Sequence, residues 1–313
     1  MSNNVSFILP ALNESKHING VISSIKKYLT SIDNFEILVI DNGSTDDTAS
    51  IAEKYGAIVH SKPGVRVGAL RNYGAMLAKY EYLVFLDADV YLTQEWQERV
   101  LYMLKLLTEE GYAIAGSTCG IGTNPSLIER CWWGMTTQKK KFNYINSGHM
   151  IVRRDVFHAL GGFDEKLKTG EDAEFCQRPR NVKVSIIHDA KLHVVHEGYP
   201  KTWYQFFRRE RWHGLGDYTS IDLFKSSRPA MISIAQAVLF VAACSWAAGT
   251  GNFFYFMLYP TIVLPISLLA AYRRSPQVNI CLCINTGLFL TYFWARTFSL
   301  FDALSNRRHS RHR

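Results

Sequence analysis

Residues 82–89 read YLVFLDAD, and Val90 and Tyr91 follow. An apolar, β-rich run delivers two carboxylates, Asp87 and Asp89, one residue apart. Two readings of the pair are open. Aspartate is a common turn residue after a strand. Alternate carboxylates can also share a hard divalent cation. The rest of the chain has to choose between them.

Upstream, short apolar runs alternate with helical patterns. VSFILP (5–10), FEILVID (35–41) and AIVH (57–60) read as strands, which makes 82–89 the fourth. Ile18, Val21, Ile22, Ile25, Tyr28 and Leu29 fall on one helical face, with Asn13 as the expected cap. STDDTASIAEKYG (44–56) has Ser44 or Thr45 as cap, early aspartates and a closing glycine. VGALRNYGAMLAKY (67–80) is a further helix. This alternation predicts an α/β fold with a mostly parallel central sheet and flanking helices. Ligands of such sheets bind beyond the carboxyl ends of the strands. The polar clusters PALNE, DNGSTDD and DAD all fall there.

Downstream, the composition changes near Pro229. Residues 230–249 and 253–272 carry no charge, and each approaches the roughly 20 residues needed to cross a bilayer. A third apolar segment, 278–300, is weaker: its apolar stretch 278–295 holds Asn279, Asn285 and Thr291 and runs into Arg296. The division expected is therefore a domain over 1–225, a membrane region over 226–304 and a basic tail over 305–313. Lys225, Arg228, Arg273 and Arg274 flank the hairpin, which puts both of its ends in the cytosol. A third full span would carry the basic tail outside, against the same rule, so a spanning and an interfacial reading stay open. The start lacks a basic region followed by a long apolar core, so no cleaved signal peptide is expected. Six cysteines are scattered without metal-ligand spacing, which predicts reduced, buried thiols. No internal repeat stands out. A formal net charge of +8 suggests an anionic partner without naming it.

ILPALNE, VIDNGSTDDT, GALRNYGAMLA, FLDADV, GGFDEKLKTGEDAEFCQR and RRERW occur in one order over about residues 5–215. Each piece is weak alone. In that order they resemble the family 2 glycosyltransferases of the Rossmann-like GT-A fold. The resemblance implies an inverting transfer of a sugar from a nucleotide diphosphate, with Mg²⁺ or Mn²⁺. It implies a UDP-sugar as the favoured donor and a lipid-linked glycan, polyprenyl phosphate or polysaccharide as acceptor. The partners expected are these and the membrane, not nucleic acid. The place expected is the inner (plasma) membrane, multi-pass, with the catalytic domain in the cytosol.

Site residues follow from matched positions. Asp41 ends a strand at the carboxyl edge, and in the similar enzymes that aspartate contacts the nucleotide, as do groups near Pro10 and Glu14. A turn role before Asn42-Gly43 is the plain alternative. Arg71 sits on a helix with Gly68, Ala69, Gly74 and Ala75, which allow close approach, and its guanidinium suits phosphate or a base. A surface salt bridge is the alternative. Asp89 is expected on the metal and Asp87 at the ribose or a metal-bound water. Gly148 suits a strand passing close to substrate, and Gly161-Gly162 a helix stop. Inversion needs a base opposite the leaving group. Asp172 matches it, Glu171 would orient the loop or acceptor, and their proximity would raise a pKa. The plain alternative is a helix N-terminus complemented by acids. Arg178 would brace that helix or reach a carboxylate. His196 is the expected third metal ligand, with a structural histidine as the alternative. Arg211 and Trp212 match the Q-x-x-R-W motif of processive synthases, which holds pyrophosphate and the acceptor end, but Arg208 replaces its glutamine. A basic amphipathic helix on anionic lipid is the alternative there. Trp132-Trp133 and Lys139–Lys141 fit an acceptor platform, a membrane-facing flap or a satellite hydrophobic cluster.

Two other classes compete. A sugar-nucleotide nucleotidyltransferase would want a Gly-rich, basic loop after the first strand, where this chain has PALNESKH. A non-catalytic nucleotide-sugar-binding scaffold would have no need of the full set of carboxylates.

Overall fold

The computed structural model describes residues 3–134, 144–181, 184–219 and 221–310. Contacts divide the chain into two compact units: 1–123 with 137–199, and 124–136 with 200–313. The boundary expected at 225 followed composition. Packing draws it nearer residue 200, because a charged helix buries its phenylalanine among C-terminal helices.

The first unit opens with β1 (Val5–Ala11), α1 (Ile18–Lys27), β2 (Phe35–Asp41), α2 (Thr48–Lys54), β3 (Ile58–Ser61), α3 (Val67–Leu77) and β4 (Tyr82–Leu86). There follow β5 (Val90–Leu92), α4 (Gln94–Glu109), β6 (Ile114–Gly116) and β7 (Gly120–Ile121). After α5 (Leu127–Trp132), which belongs to the second unit, come β8 (His149–Arg153), α6 (Arg154–Ala159), α7 (Glu171–Asn181), β9 (Ile186–His188) and β10 (Val194–His196). The main sheet runs β3-β2-β1-β4-β8-β6-β9. Its strands are parallel except β8, which pairs antiparallel with β4 and β6. The α/β expectation therefore holds.

Period-two alternation splits the core between the faces of this sheet. Phe7, Leu9, Val39, Val84 and Leu86 pack with Ile18, Val21, Ile22 and Ile25 of α1 and with Trp96, Val100 and Met103 of α4. Ile8, Leu38, Ile40, Leu83 and Phe85 pack on the other face with Leu70 and Ala75 of α3, Phe157 and Phe175. Gly74 lets α3 close on the sheet, since a Cβ there would overlap Ile8. Pro10 lies in a central strand without cost, because β4 pairs only with Val5–Ile8 and leaves that edge of Pro10 unpaired.

Three expectations are corrected. Asn13 does not cap α1, which starts at Ile18. It adopts φ 58° and its Oδ1 accepts from Thr45 N at 2.9 Å. Neither Ser44 nor Thr45 caps α2, since Asp47 occupies that place. The fourth strand stops at Leu86, so Asp87, Ala88 and Asp89 form the turn into β5.

The second unit contains α5, α8 (Trp203–His213), α9 (Ile221–Ser226), α10 (Arg228–Thr250), α11 (Leu258–Arg274) and α12 (Ile280–Ser310). Thr202 and Gln205 form a capping box at the start of α8. Ile128, Trp132, Phe206 and Leu288 make a buried cluster against which Trp133 packs, so the tryptophan pair is a satellite hydrophobic cluster. Lys139–Lys141 lie outside the described residues. Cys131 and Cys281 are joined as a disulfide, which corrects the expectation of thiols for that pair. Their separation of 150 residues hid the partnership from sequence spacing.

Among the described residues, two helices are long and apolar enough to cross a membrane, Arg228–Thr250 and Phe253–Arg274. Pro229 starts the first, and Gly251 at φ 66° turns the chain after it. The third apolar segment is one continuous helix that runs into the tail. Two of its charges are paired within the unit: Arg296 with Asp217 and Glu210, and Asp302 with Arg211.

Candidate active site and metal centre

The turn 87–89 leaves β4 at its carboxyl end, and β5 runs on to meet β10 antiparallel. In that register His196 lies opposite Val90, one residue from Asp89. The ligand atoms of Asp87, Asp89 and His196 all lie within 4.8 Å of one another, and His196 Nε2 is 3.6 Å from Asp89 Oδ1. The residues fit a divalent cation. Burial first, with the neighbouring Asp87 adding, pushes the Asp89 carboxyl up. Glu14 is pushed up to about 7, by burial and then by the charges of Asp89 and Asp87. Crowded carboxylates with one imidazole suit Mg²⁺ or Mn²⁺, and a cation would relieve their repulsion.

Arg71 is the centre of the arrangement. Its side chain is 4% exposed, which corrects the surface-salt-bridge alternative. Nη2 donates to Asp87 Oδ1 at 2.6 Å and Nη1 to Glu171 Oε1 at 2.9 Å. The guanidinium bridges these two carboxylates. One planar fork thus ties the metal cluster to the start of α7.

At that start, Glu171 also accepts from Ser147 Oγ at 3.2 Å. Asp172 Oδ1 accepts from Ala173 N at 2.7 Å and Oδ2 from Ser147 N at 3.4 Å. The Asp172 carboxyl is pushed up to about 6, by burial first and then by Glu171, with Arg71 pulling the other way. A carboxylate so placed is ionised near neutrality yet more basic than a surface aspartate. Glu171 is held on two sides, by Arg71 and Ser147.

Gly148 serves Asp87. Its carbonyl accepts from Asp87 N at 3.1 Å, and a Cβ there would come within 2.5 Å of Asp87 Oδ2. Beside it, buried His149 accepts at Nε2 from Trp96 Nε1 at 2.8 Å and has Ser117 Oγ 2.9 Å from Nδ1. Burial lowers its pKa to about 3, so it is a neutral packing residue.

Asp41 takes the turn role. Its carboxylate accepts from Gly43 N at 3.0 Å and Ser44 N at 3.0 Å. Pro10 and Glu14 share this edge, with Glu14 N donating to Thr48 Oγ1 at 2.8 Å. Arg178 braces α7 as expected, pairing with Glu174 and donating to Leu160 O and Gly162 O. Gly161 and Gly162 both have left-handed φ, so the helix stop also holds. Arg211 and Trp212 belong to the second unit. Both Arg211 Nε and Nη2 donate to Asp302 at 2.6 Å, while Trp212 is exposed. The residues that motif reading missed are Ser147, Gly198 and Tyr199. The signals that could have found them were the adjacency of Ser147 to Gly148 and the closeness of Gly198 and Tyr199 to His196.

Residues 6–159 match the family model described as glycosyl transferase family 2. The chain is 25% identical over 186 residues to the succinoglycan biosynthesis protein ExoA of Rhizobium meliloti, covering 55% of this chain and 56% of that protein. It is 27% identical over 195 residues to the glycosyltransferase AglE of Haloferax volcanii, covering 58% and 63%. The matches span less than two thirds of either relative. Among solved structures, the mannosyltransferase PcManGT of Pyrobaculum calidifontis, in complex with GDP-Man and Mn²⁺, superposes with a TM-score of 0.59. That match covers 95% of this chain and 86% of the other at 15% identity, and is a likeness of fold.

Proposed function

We propose that the chain, whose residues 6–159 match the glycosyl transferase family 2 model, transfers a sugar, with inversion, from a nucleotide diphosphate sugar. The acceptor class is a lipid-linked glycan, a polyprenyl phosphate or a polysaccharide, met at the cytosolic face of a membrane. The observation that carries the reading is the Arg71 fork, which joins a cluster of metal-type ligands to Glu171, the neighbour of Asp172, whose own carboxyl is raised.

Asp87, Asp89 and His196 would hold the cation. When bound, Mg²⁺ or Mn²⁺ supplies positive charge against the departing nucleotide diphosphate. Asp172 takes the proton of the attacking acceptor hydroxyl. Arg71 and Ser147 hold Glu171, and Glu171 in turn keeps the Asp172 carboxyl basic. Asp41, having bound its own turn with two backbone donors, keeps acceptor capacity for the donor's base or ribose. Pro10 and Glu14 border the same edge. Exposed Trp212 is offered as the contact for the acceptor end, with Arg211 holding its helix against α12. The two apolar helices and the flanking Lys225, Arg228, Arg273 and Arg274 support anchoring with the catalytic unit inside.

The test is a screen of UDP-, GDP- and TDP-sugars with the purified full chain, following release of the nucleotide. The expected result is metal-dependent release, UDP-sugars leading, lost in Asp89→Ala. Activity unchanged by Asp89→Ala and Asp172→Asn together would sink the mechanism.

A further inference from the structure

Around the cluster the chain builds a second layer that no motif describes. The segment His196-Glu197-Gly198-Tyr199 wraps Asp89 from one side. Glu197 N donates to the backbone carbonyl of Asp89 at 3.0 Å, which pins the turn. Gly198 faces the Asp89 side chain so closely that a Cβ would overlap Oδ2 and come within 3.0 Å of His196 Cε1. Its φ lies outside the left-handed range, so the demand for glycine here is steric. Tyr199 stacks on the His196 ring, with centroids 4.2 Å apart and planes 17° apart. Its hydroxyl donates to Cys119 O at 3.3 Å, anchoring the far end of the ring.

We propose that Gly198 and Tyr199 are positioning residues of the metal centre: Gly198 makes the space that the Asp89 carboxylate occupies, and Tyr199 sets the plane of the His196 imidazole. The proposal rests on the metal-dependent reading above and deepens it. The least costly response to a methyl group at position 198 is rotation of the short Asp89 side chain, because the alternative is to move backbone. A Gly198→Ala chain therefore folds and loses a ligand. Without the aromatic ring, His196 gains rotamers, and Nε2 no longer points at the cluster in every molecule. Groups that orient metal ligands are typically worth about 10–100-fold in metal affinity.

The experiment is Mn²⁺ titration of the purified full chain, reading free Mn²⁺ by its electron paramagnetic resonance signal. The chains compared are wild type, Gly198→Ala, Tyr199→Leu, Tyr199→Phe and Asp89→Asn, with thermal melts to verify folding. We expect about 10-fold or greater weakening in Gly198→Ala and Tyr199→Leu. Tyr199→Phe keeps the stack and should stay within about threefold of wild type. If Gly198→Ala does not fold, the two Tyr199 variants decide. Wild-type affinity in Gly198→Ala and Tyr199→Leu, with binding lost in Asp89→Asn, refutes the proposal and leaves glycosyl transfer standing. Absence of Mn²⁺ binding in the wild type overturns both the metal reading and the proposal. Loss in the variants, with no nucleotide released by the wild type from any donor, supports the proposal and overturns the functional reading.

Discussion

Replacing Glu171 by glutamine isolates the tuning of the base. Glutamine keeps the volume and can still accept from Arg71 and Ser147, so what it removes is one negative charge beside Asp172. The Asp172 carboxyl stands at about 6 against an ordinary 3.8, raised first by burial and second by Glu171. Burial is the larger cause and survives the substitution, so the pKa should fall by less than about one unit. A general base works only when ionised, so activity rises with pH through this pKa. Lowering the pKa moves the acid limb to lower pH. At about pH 5 roughly one site in eleven is ionised with a pKa near 6, and roughly one in three with a pKa near 5.3, a gain of about fourfold. A weaker base also lowers the plateau slightly. The assay is the initial rate of nucleotide release across the acid limb, each chain normalised to its own plateau. A limb that stays put, or moves to higher pH, would refute Asp172 as the base tuned by Glu171.

Asp172→Asn should abolish transfer yet stabilise the fold. A carboxyl raised in the folded state favours folding while protonated, and that contribution is lost as pH rises through about 6. The variant should therefore melt higher at about pH 8, by roughly 1–3 kcal/mol, with no gain below about pH 4. Arg71→Met strands two carboxylates without their cation and should cost about 3–5 kcal/mol, toward the low end because Asp87 is 33% exposed. Adding Glu171→Gln should restore part of the melting temperature. Chelation should stop nucleotide release by the wild type and added Mn²⁺ or Mg²⁺ restore it, whereas Asp89→Ala should stay down about 100-fold at saturating metal.

Much of the first unit was legible because its strands carry period-two apolar patterns and its helices a period near 3.6, both local properties of the chain. The same locality explains the misreadings. Asn13, Ser44 and Thr45 all looked like caps, but Asn13 bonds across to Thr45 from another strand end, a partner 32 residues away. The cysteine pair failed for the same reason. Arg71 was singled out on the right helix, but its two carboxylate partners were not. Its helix is read from spacing, but its fork closes on Glu171 a hundred residues later.

Asp87, Asp89, Glu171, Asp172 and His196 were nameable from sequence, since a matched motif order and the chemistry of each side chain are written there. The α/β class, the two apolar segments and the type of reaction rest on that same local record. Their relations are not written there. That Glu171 is held rather than free depends on the lead into antiparallel β8, which brings Ser147 to Glu171 and Gly148 beside Asp87. That His196 reaches Asp89 depends on the register of β10 against β5. A register shift of one residue would turn that histidine to the opposite face with no change in any motif. Side-chain identity is set by the chain, whereas distances among residues far apart in it are set only when strands pair.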